Sequence, residues 1–199
     1  MMARTICAAL TAAFLAVFVL ACGGHEARAG ATKTAIFAGG CFWCVEDAFD
    51  QVDGVTETIS GYAGGTKPNP TYGQHQGYVE ALKVTYDPAK VTFATLLDRF
   101  WHNIDPFDPN GQFCDQGPAY RTVIFVAGDE EKTLAETTKA EIAKRFKKQV
   151  ATEIRPVTTF TAAEDYHQDY HEVNPVSYKY YKWGCGRAQR LETIWGKTS

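Results

Sequence analysis

Residues 33–44 read Lys-Thr-Ala-Ile-Phe-Ala-Gly-Gly-Cys-Phe-Trp-Cys, and the pattern changes period in the middle. The first six (33–38) predict a short buried strand closed by Gly39 and Gly40. From Cys41 to about Gln51, Phe42, Val45 and Phe49 recur at i, i+3 and i+7, the spacing of one helical face. Cys41 therefore falls at a helix N-terminus, where unpaired N–H groups and the positive end of the helix dipole favour a thiolate. A lowered pKa is expected there. Gly39 and Gly40 permit the sharp turn that would expose it.

Working outward, a strand is predicted over 55–62, followed by a Gly/Pro/Asn-rich loop, 63–77, long enough to bind something. Strands are predicted at 79–86, 120–126 and 154–158. Phe93, Leu96, Leu97 and Phe100 mark an amphipathic helix, and a charged helix covers 129–147. A last helix opens at Thr161, with Glu164 completing a capping box. Strands alternating with helices, without a repeat, give one α/β domain. The 199 residues, 45% hydrophobic and 22% charged, suit that size. A net charge of −3 offers no broad attraction to nucleic acid, so none is expected as a partner.

Residues 1–21 read as a signal peptide. Arg4 is the only charge before an apolar run, Ile6 to Ala21, that is broken only by Thr11. The run is slightly short for a membrane-spanning helix. Val19-Leu20-Ala21-Cys22 resembles a bacterial lipoprotein processing site, in which Cys22 becomes the lipidated first residue. Ala27-Arg28-Ala29 offers an ordinary A-x-A site instead, but sits far beyond the apolar run. The first reading makes 22–32 a flexible tether and 33–199 the domain. It places the protein outside a bacterial cytoplasm, periplasmic or attached to the outer membrane, touching membrane only through its lipid. Loss of the leader leaves 19 basic and 23 acidic residues. In an oxidising compartment the even set Cys41, Cys44, Cys114 and Cys185 would ordinarily be structural disulfides.

Cys41 and Cys44 form a C-x-x-C, a spacing shared by redox motifs, zinc knuckles and haem attachment. Val45 stands where haem attachment needs histidine. Zinc would have to recruit Cys114, Cys185, or His167 and His171, which sit i, i+4 on the predicted last helix. Phe42 and Trp43 crowd the spacer and no second pair has finger spacing, so no metal is assigned. The run Lys144, Arg145, Lys147, Lys148 reads as a solvated helix end.

Gly40-Cys41-Phe42-Trp43 resembles the signature of the A-type peptide methionine sulfoxide reductases. The resemblance continues through Gly61-Tyr62-Ala63-Gly64-Gly65, Asn69-Pro70-Thr71-Tyr72, and Val79-Glu80-Ala81 ahead of Tyr86-Asp87-Pro88. It runs on through Asp115-Gln116-Gly117 with Tyr120-Arg121, then His167-Gln168-Asp169-Tyr170 with Asn174-Pro175. Six spaced motifs in the family's order cover about 34–176.

The resemblance implies a two-layer α/β (α+β) sandwich with a mixed sheet related to the ferredoxin-like arrangement. It implies reduction of methionine S-sulfoxide, free or in proteins, through a cysteine sulfenic acid and an intramolecular disulfide. Cys41 resembles the nucleophile, and Phe42 and Trp43 the pocket for the substrate's methyl group. Glu80 resembles the acid that protonates the sulfoxide oxygen, with Tyr72 and Tyr120 as its hydrogen-bonding partners. Asp115 resembles the carboxylate that orders the site and the substrate backbone. No cofactor is implied beyond an external dithiol such as thioredoxin, and a monomer is expected.

The residues support Glu80 independently. Attack on sulfur drives charge onto oxygen, so a proton donor lowers the barrier. Strand alternation puts Glu80 on the face of Leu82, Val84 and Tyr86, where desolvation would keep it protonated near neutral pH. Some positions depart from the family: Tyr78 replaces a histidine, Pro118-Ala119 replaces more polar residues, and many members have glycine at the position of Cys44. Three thiols could resolve the sulfenic acid. Cys44 lies one helical turn away, Cys185 sits in a Gly-flanked tail, and Cys114 neighbours Asp115. Cys44 is expected first, and a relay through two of them is open. The rival readings are a thioredoxin-like dithiol oxidoreductase and a lipid-anchored module that binds methionine-bearing peptides.

Overall fold

The computed structural model describes residues 31–157 and 159–197. The proposed signal peptide and Cys22 lie outside the described residues. Strand β1 (Lys33–Gly39) leads into helix α1 (Phe42–Asp50), then β2 (Val55–Ala63), β3 (Val79–Tyr86) and α2 (Phe93–Trp101). The short strands β4 (Gly111–Gln112) and β5 (Asp115–Gln116) form a small hairpin ahead of β6 (Thr122–Val126). Helix α3 (Asp129–Phe146), β7 (Glu153–Pro156) and β8 (Phe160–Ala162) follow. The chain ends in α4 (Tyr170–Val173), α5 (Pro175–Gly184) and α6 (Arg187–Trp195).

Six strands form one sheet in the order β7-β6-β1-β3-β2-β8. Only β6 and β7 run parallel. The inner four, β6-β1-β3-β2, with α1 and α2 as crossovers, make the ferredoxin-like βαββαβ unit, extended by one strand at each edge. The mixed α/β single domain is therefore as expected. Alternation along the strands sorts two cores. Phe37, Leu82, Val84 and Ile124 pack under α1, α2 and α3 against Val45, Phe49, Leu96 and Phe100. Ile36, Ala38, Ala81, Val123 and Phe125 form a second cluster with Phe160.

The end of β1 behaves as its glycines require. Gly40 has φ +84°, and a Cβ there would stand 2.5 Å from Gln112 Cβ. Glycine thus supplies the left-handed turn and lets the β4 hairpin close over the start of α1. Two expectations fail. No helix starts at Thr161 as expected: Phe160–Ala162 pair with β2, and a 3-10 turn, Asp165–His167, precedes α4. A Cβ at Gly61 would lie 2.3 Å from the Thr161 carbonyl, so the bare backbone of β2 draws this segment in as an edge strand. Glu164 instead accepts from the Tyr62 hydroxyl (3.0 Å) and the Tyr72 N–H (2.9 Å), tying down the 63–77 loop. Second, Cys185 is not in a free tail. It caps α5, and Gly186 (φ +64°) turns the chain into α6. That helix is anchored by Arg190 on Asp105 (2.6 Å) and by Trp195 Nε1 donating to the Ile104 carbonyl.

Candidate active site

Cys41 occupies the N-cap of α1, and its carbonyl accepts from Cys44 and Val45 N–H. Both thiols are free and buried, Cys41 at 5% exposure and Cys44 at 3%. Glu80, 2% exposed on β3, reaches the same helix end: its Oε2 accepts the Phe42 N–H at 3.0 Å. Burial raises the Glu80 pKa to about 8 against that hydrogen bond, with help from the charges of Asp115 and Cys44. Glu80 is thus buried as the alternation along β3 predicts, with its carboxyl held above the usual carboxylate range.

The expectation of a lowered Cys41 pKa is corrected. Burial raises it first, and a hydrogen bond and charge from Cys44, with the charge of Glu80, add to this. The leading N–H of α1 serves Glu80 rather than the Cys41 sulfur, so the helix end does not rescue the thiolate. The lowered thiol is Cys44, pushed down to about 6. Its largest cause is the hydrogen bond from Cys41; burial opposes, and Arg187, Tyr178 and Lys182 assist. Arg187 donates to the Asn103 carbonyl while Asn103 donates to the Cys44 carbonyl. Burial thus pushes the Cys41 thiol up, while its hydrogen bond to Cys44 draws the Cys44 thiol down.

Other predicted residues converge on this pair. Phe42 is buried with Tyr62 and Tyr78, and Trp43 stacks on Tyr170 at 3.8 Å. Tyr72, on the pinned loop, is exposed. Tyr120 ends a 3-10 turn at Pro118–Tyr120. Burial and the Glu80 charge keep both hydroxyls protonated. Asp115 accepts from the Tyr181 hydroxyl at 2.5 Å, and burial raises its pKa.

Cys114 and Cys185, 71 residues apart, are joined in a disulfide beside Asp115, with Cys114 exposed. His167 and His171 do not share a helix. The first ends the 3-10 turn, the second lies in α4, and Asp169 breaks the path between them with φ +51°.

Sequence reasoning missed three contributors. Tyr178 donates to Asp47 (2.7 Å) and packs on both free thiols, and Tyr181 joins Asp115 to Cys41. Glu46 is fully buried, accepts from Ser60 Oγ at 3.2 Å, and lies 4.0 Å from His171. Burial, then the Asp50 charge, raises its pKa to about 8. Its position, i+4 from Phe42 on the apolar stripe of α1, was a signal that a carboxyl would be buried.

The family model described as "Peptide methionine sulfoxide reductase" matches residues 33–199. Peptide methionine sulfoxide reductase MsrA 2 of Caulobacter vibrioides is 46% identical over 186 residues, covering 91% of this chain and 94% of that one. Among solved structures, Mxr1 from Saccharomyces cerevisiae in reduced form is 30% identical, with a TM-score of 0.67 over 73% of this chain and 87% of that one. Mxr1 in complex with Trx2 is 26% identical, with a TM-score of 0.52 over 70% and 84%.

Proposed function

Because this chain belongs to the peptide methionine sulfoxide reductase family, and is thus an oxidoreductase that returns methionine sulfoxide to methionine by thiol chemistry, we propose that Cys41 attacks the sulfoxide sulfur while Glu80 protonates its oxygen. The observation that carries these roles is their meeting at one helix end, where the neutral Glu80 carboxyl and the Cys41 thiol flank the Phe42 N–H. Phe42 and Trp43 hold the methyl group, Tyr72 and Tyr120 steady the oxygen, and Asp115 orders the substrate backbone. Oxygen leaves the substrate as a Cys41 sulfenic acid, so sulfur is reduced by two electrons and Cys41 oxidised by two. The test is a racemic methyl sulfoxide with dithiothreitol. Consumption of the S enantiomer alone supports this reading, whereas insulin reduction without sulfoxide turnover would favour the dithiol oxidoreductase.

The cysteines divide by depth. Cys44 condenses with the sulfenic acid, forming a Cys41–Cys44 disulfide and water. The reduced Cys114/Cys185 pair then exchanges with it, restoring both buried thiols and leaving the Cys114–Cys185 disulfide. Exposure of Cys114 suits reduction there by a thioredoxin-like dithiol protein. Peptide mapping of the fully reduced protein after one equivalent of sulfoxide should show Cys41–Cys44 early and Cys114–Cys185 late. In Cys185→Ser the first bridge should persist. A Cys41–Cys185 bridge at the earliest time would overturn this order.

The mature protein is proposed to begin at a lipidated Cys22, outside the cytoplasm, and to act as a monomer on oxidised proteins and free methionine sulfoxide, without nucleic acid. Intact mass should show the lipid on Cys22; a free N-terminus at Gly30 would instead favour a soluble periplasmic form.

A further inference from the structure

Helix α5 presents two unlike faces. Inward, Tyr178 packs on both free thiols and the Tyr181 hydroxyl donates to Asp115. Outward, Val176, Tyr180 and Trp183 recur at i, i+4 and i+7 and stand 82%, 76% and 72% exposed. Of the four tryptophans Trp183 alone is exposed; Trp101 is buried, and Trp43 and Trp195 are half-buried. An apolar stripe left in water marks a contact surface. This stripe leads to the surface disulfide: Trp183 lies two residues before Cys185, whose partner Cys114 is exposed. Charge along the segment is one-sided. From Asn174 to Leu191 the chain carries Lys179, Lys182, Arg187 and Arg190 and no carboxylate, in a protein of net charge −3. Arg187 is buried and Lys179 is exposed. Lys182 and Arg190, though paired with Asp47 and Asp105, keep 42% and 46% of their side chains in water.

We propose that the outward face of α5 is the docking surface for an acidic dithiol protein that reopens the Cys114–Cys185 disulfide. The inference rests on the relay set out above, which makes that bond the one to be reduced. A partner thiolate must line up with the disulfide to attack it, so the partner's surface lands on the exposed side chains around the bond. Val176 lies nine residues before Cys185, about 14 Å of helix. A standard interface covers about 800 Å² a side, roughly 16 Å in radius, so one partner covers the whole stripe. Tyrosine and tryptophan are the usual anchors of such contacts, and the surrounding cations steer in a partner of opposite charge. The step balances. One partner thiolate attacks the exposed Cys114 sulfur, and Cys185 leaves as a thiolate. The second partner thiolate then attacks the partner's own sulfur in the mixed disulfide, and Cys114 leaves. Two electrons and two protons pass to the pair, and the partner ends as a disulfide.

The test follows opening of the Cys114–Cys185 disulfide in the oxidised protein by stopped flow. The reductant is either reduced thioredoxin of negative net charge or dithiothreitol, which needs no docking. In the double variant Tyr180→Ser, Trp183→Ser the second-order rate constant for thioredoxin should fall about thirtyfold, at about fivefold for each anchor. The dithiothreitol rate should stay at the wild-type value. Lys179→Glu should slow thioredoxin severalfold, and added salt should slow the wild type with thioredoxin but not with dithiothreitol. That variant also serves if the double variant fails to fold. An unchanged thioredoxin rate in both variants, or equal losses with both reductants, would overturn the proposal. If the double variant keeps its thioredoxin rate but loses self-association or binding to anionic vesicles, the face belongs to a second copy or to a membrane instead. Wild-type protein inert toward methionine sulfoxide would overturn the reductase reading alone, because this assay uses no sulfoxide.

Discussion

Replacing Cys41 with serine is expected to abolish sulfoxide turnover, with dithiothreitol or any other reductant, while the protein stays folded. A serine hydroxyl cannot accept oxygen as a sulfenic acid, so no residual route runs through position 41. Folding should survive because Cys41 is the N-cap of α1, a position serine favours. Far-UV circular dichroism and the melting temperature should stay near wild type. Wild-type rates in this variant would refute the assignment, and the surviving Cys44 would then be the thiol to examine.

The second large effect concerns Glu80. Glu80→Gln keeps the shape of the side chain and an oxygen for the Phe42 N–H, but has no proton to give. Its kcat/KM should drop by roughly 10²–10⁴, the usual size of a general-acid contribution. The pH profile separates this from simple disruption. With the carboxyl raised to about 8, wild-type activity should fall as pH passes 8 and the proton is lost, and the glutamine variant should lack that limb. The stability sign agrees: a carboxyl raised on folding contributes fully below its ordinary value of 4.5, and this is lost as pH rises through about 8. Glu46, also raised to about 8, adds to the same slope. A loss under threefold, or an alkaline limb that survives in the variant, would remove Glu80 from the proton-donor role.

Local pattern carried much of this architecture. The change of period at Gly39-Gly40 placed Cys41 at the start of a helix, and β1 ends and α1 begins there. Alternation along 79–86 put Glu80 on the Leu82 and Val84 face, and that face is buried under the helices. Both readings depend on residues within a few positions of one another, where backbone geometry alone sets direction. The errors arose where distant segments compete. Thr161 had a capping box to start a helix, but pairing with β2 satisfied its backbone better.

The sequence by itself determined the strand–glycine–helix unit that presents Cys41, the apolar face that buries Glu80, and the run of motifs that places the chain in its family. The tertiary structure alone decided the electrostatics and the partners. It raised the Cys41 thiol by burial and lowered the Cys44 thiol through its hydrogen bond to Cys41, with Arg187 and Lys182 assisting from the C-terminal helices. It paired Cys114 with Cys185. Desolvation, charge proximity and disulfide pairing depend on distances between residues far apart in the chain, and those distances exist only once the core has packed.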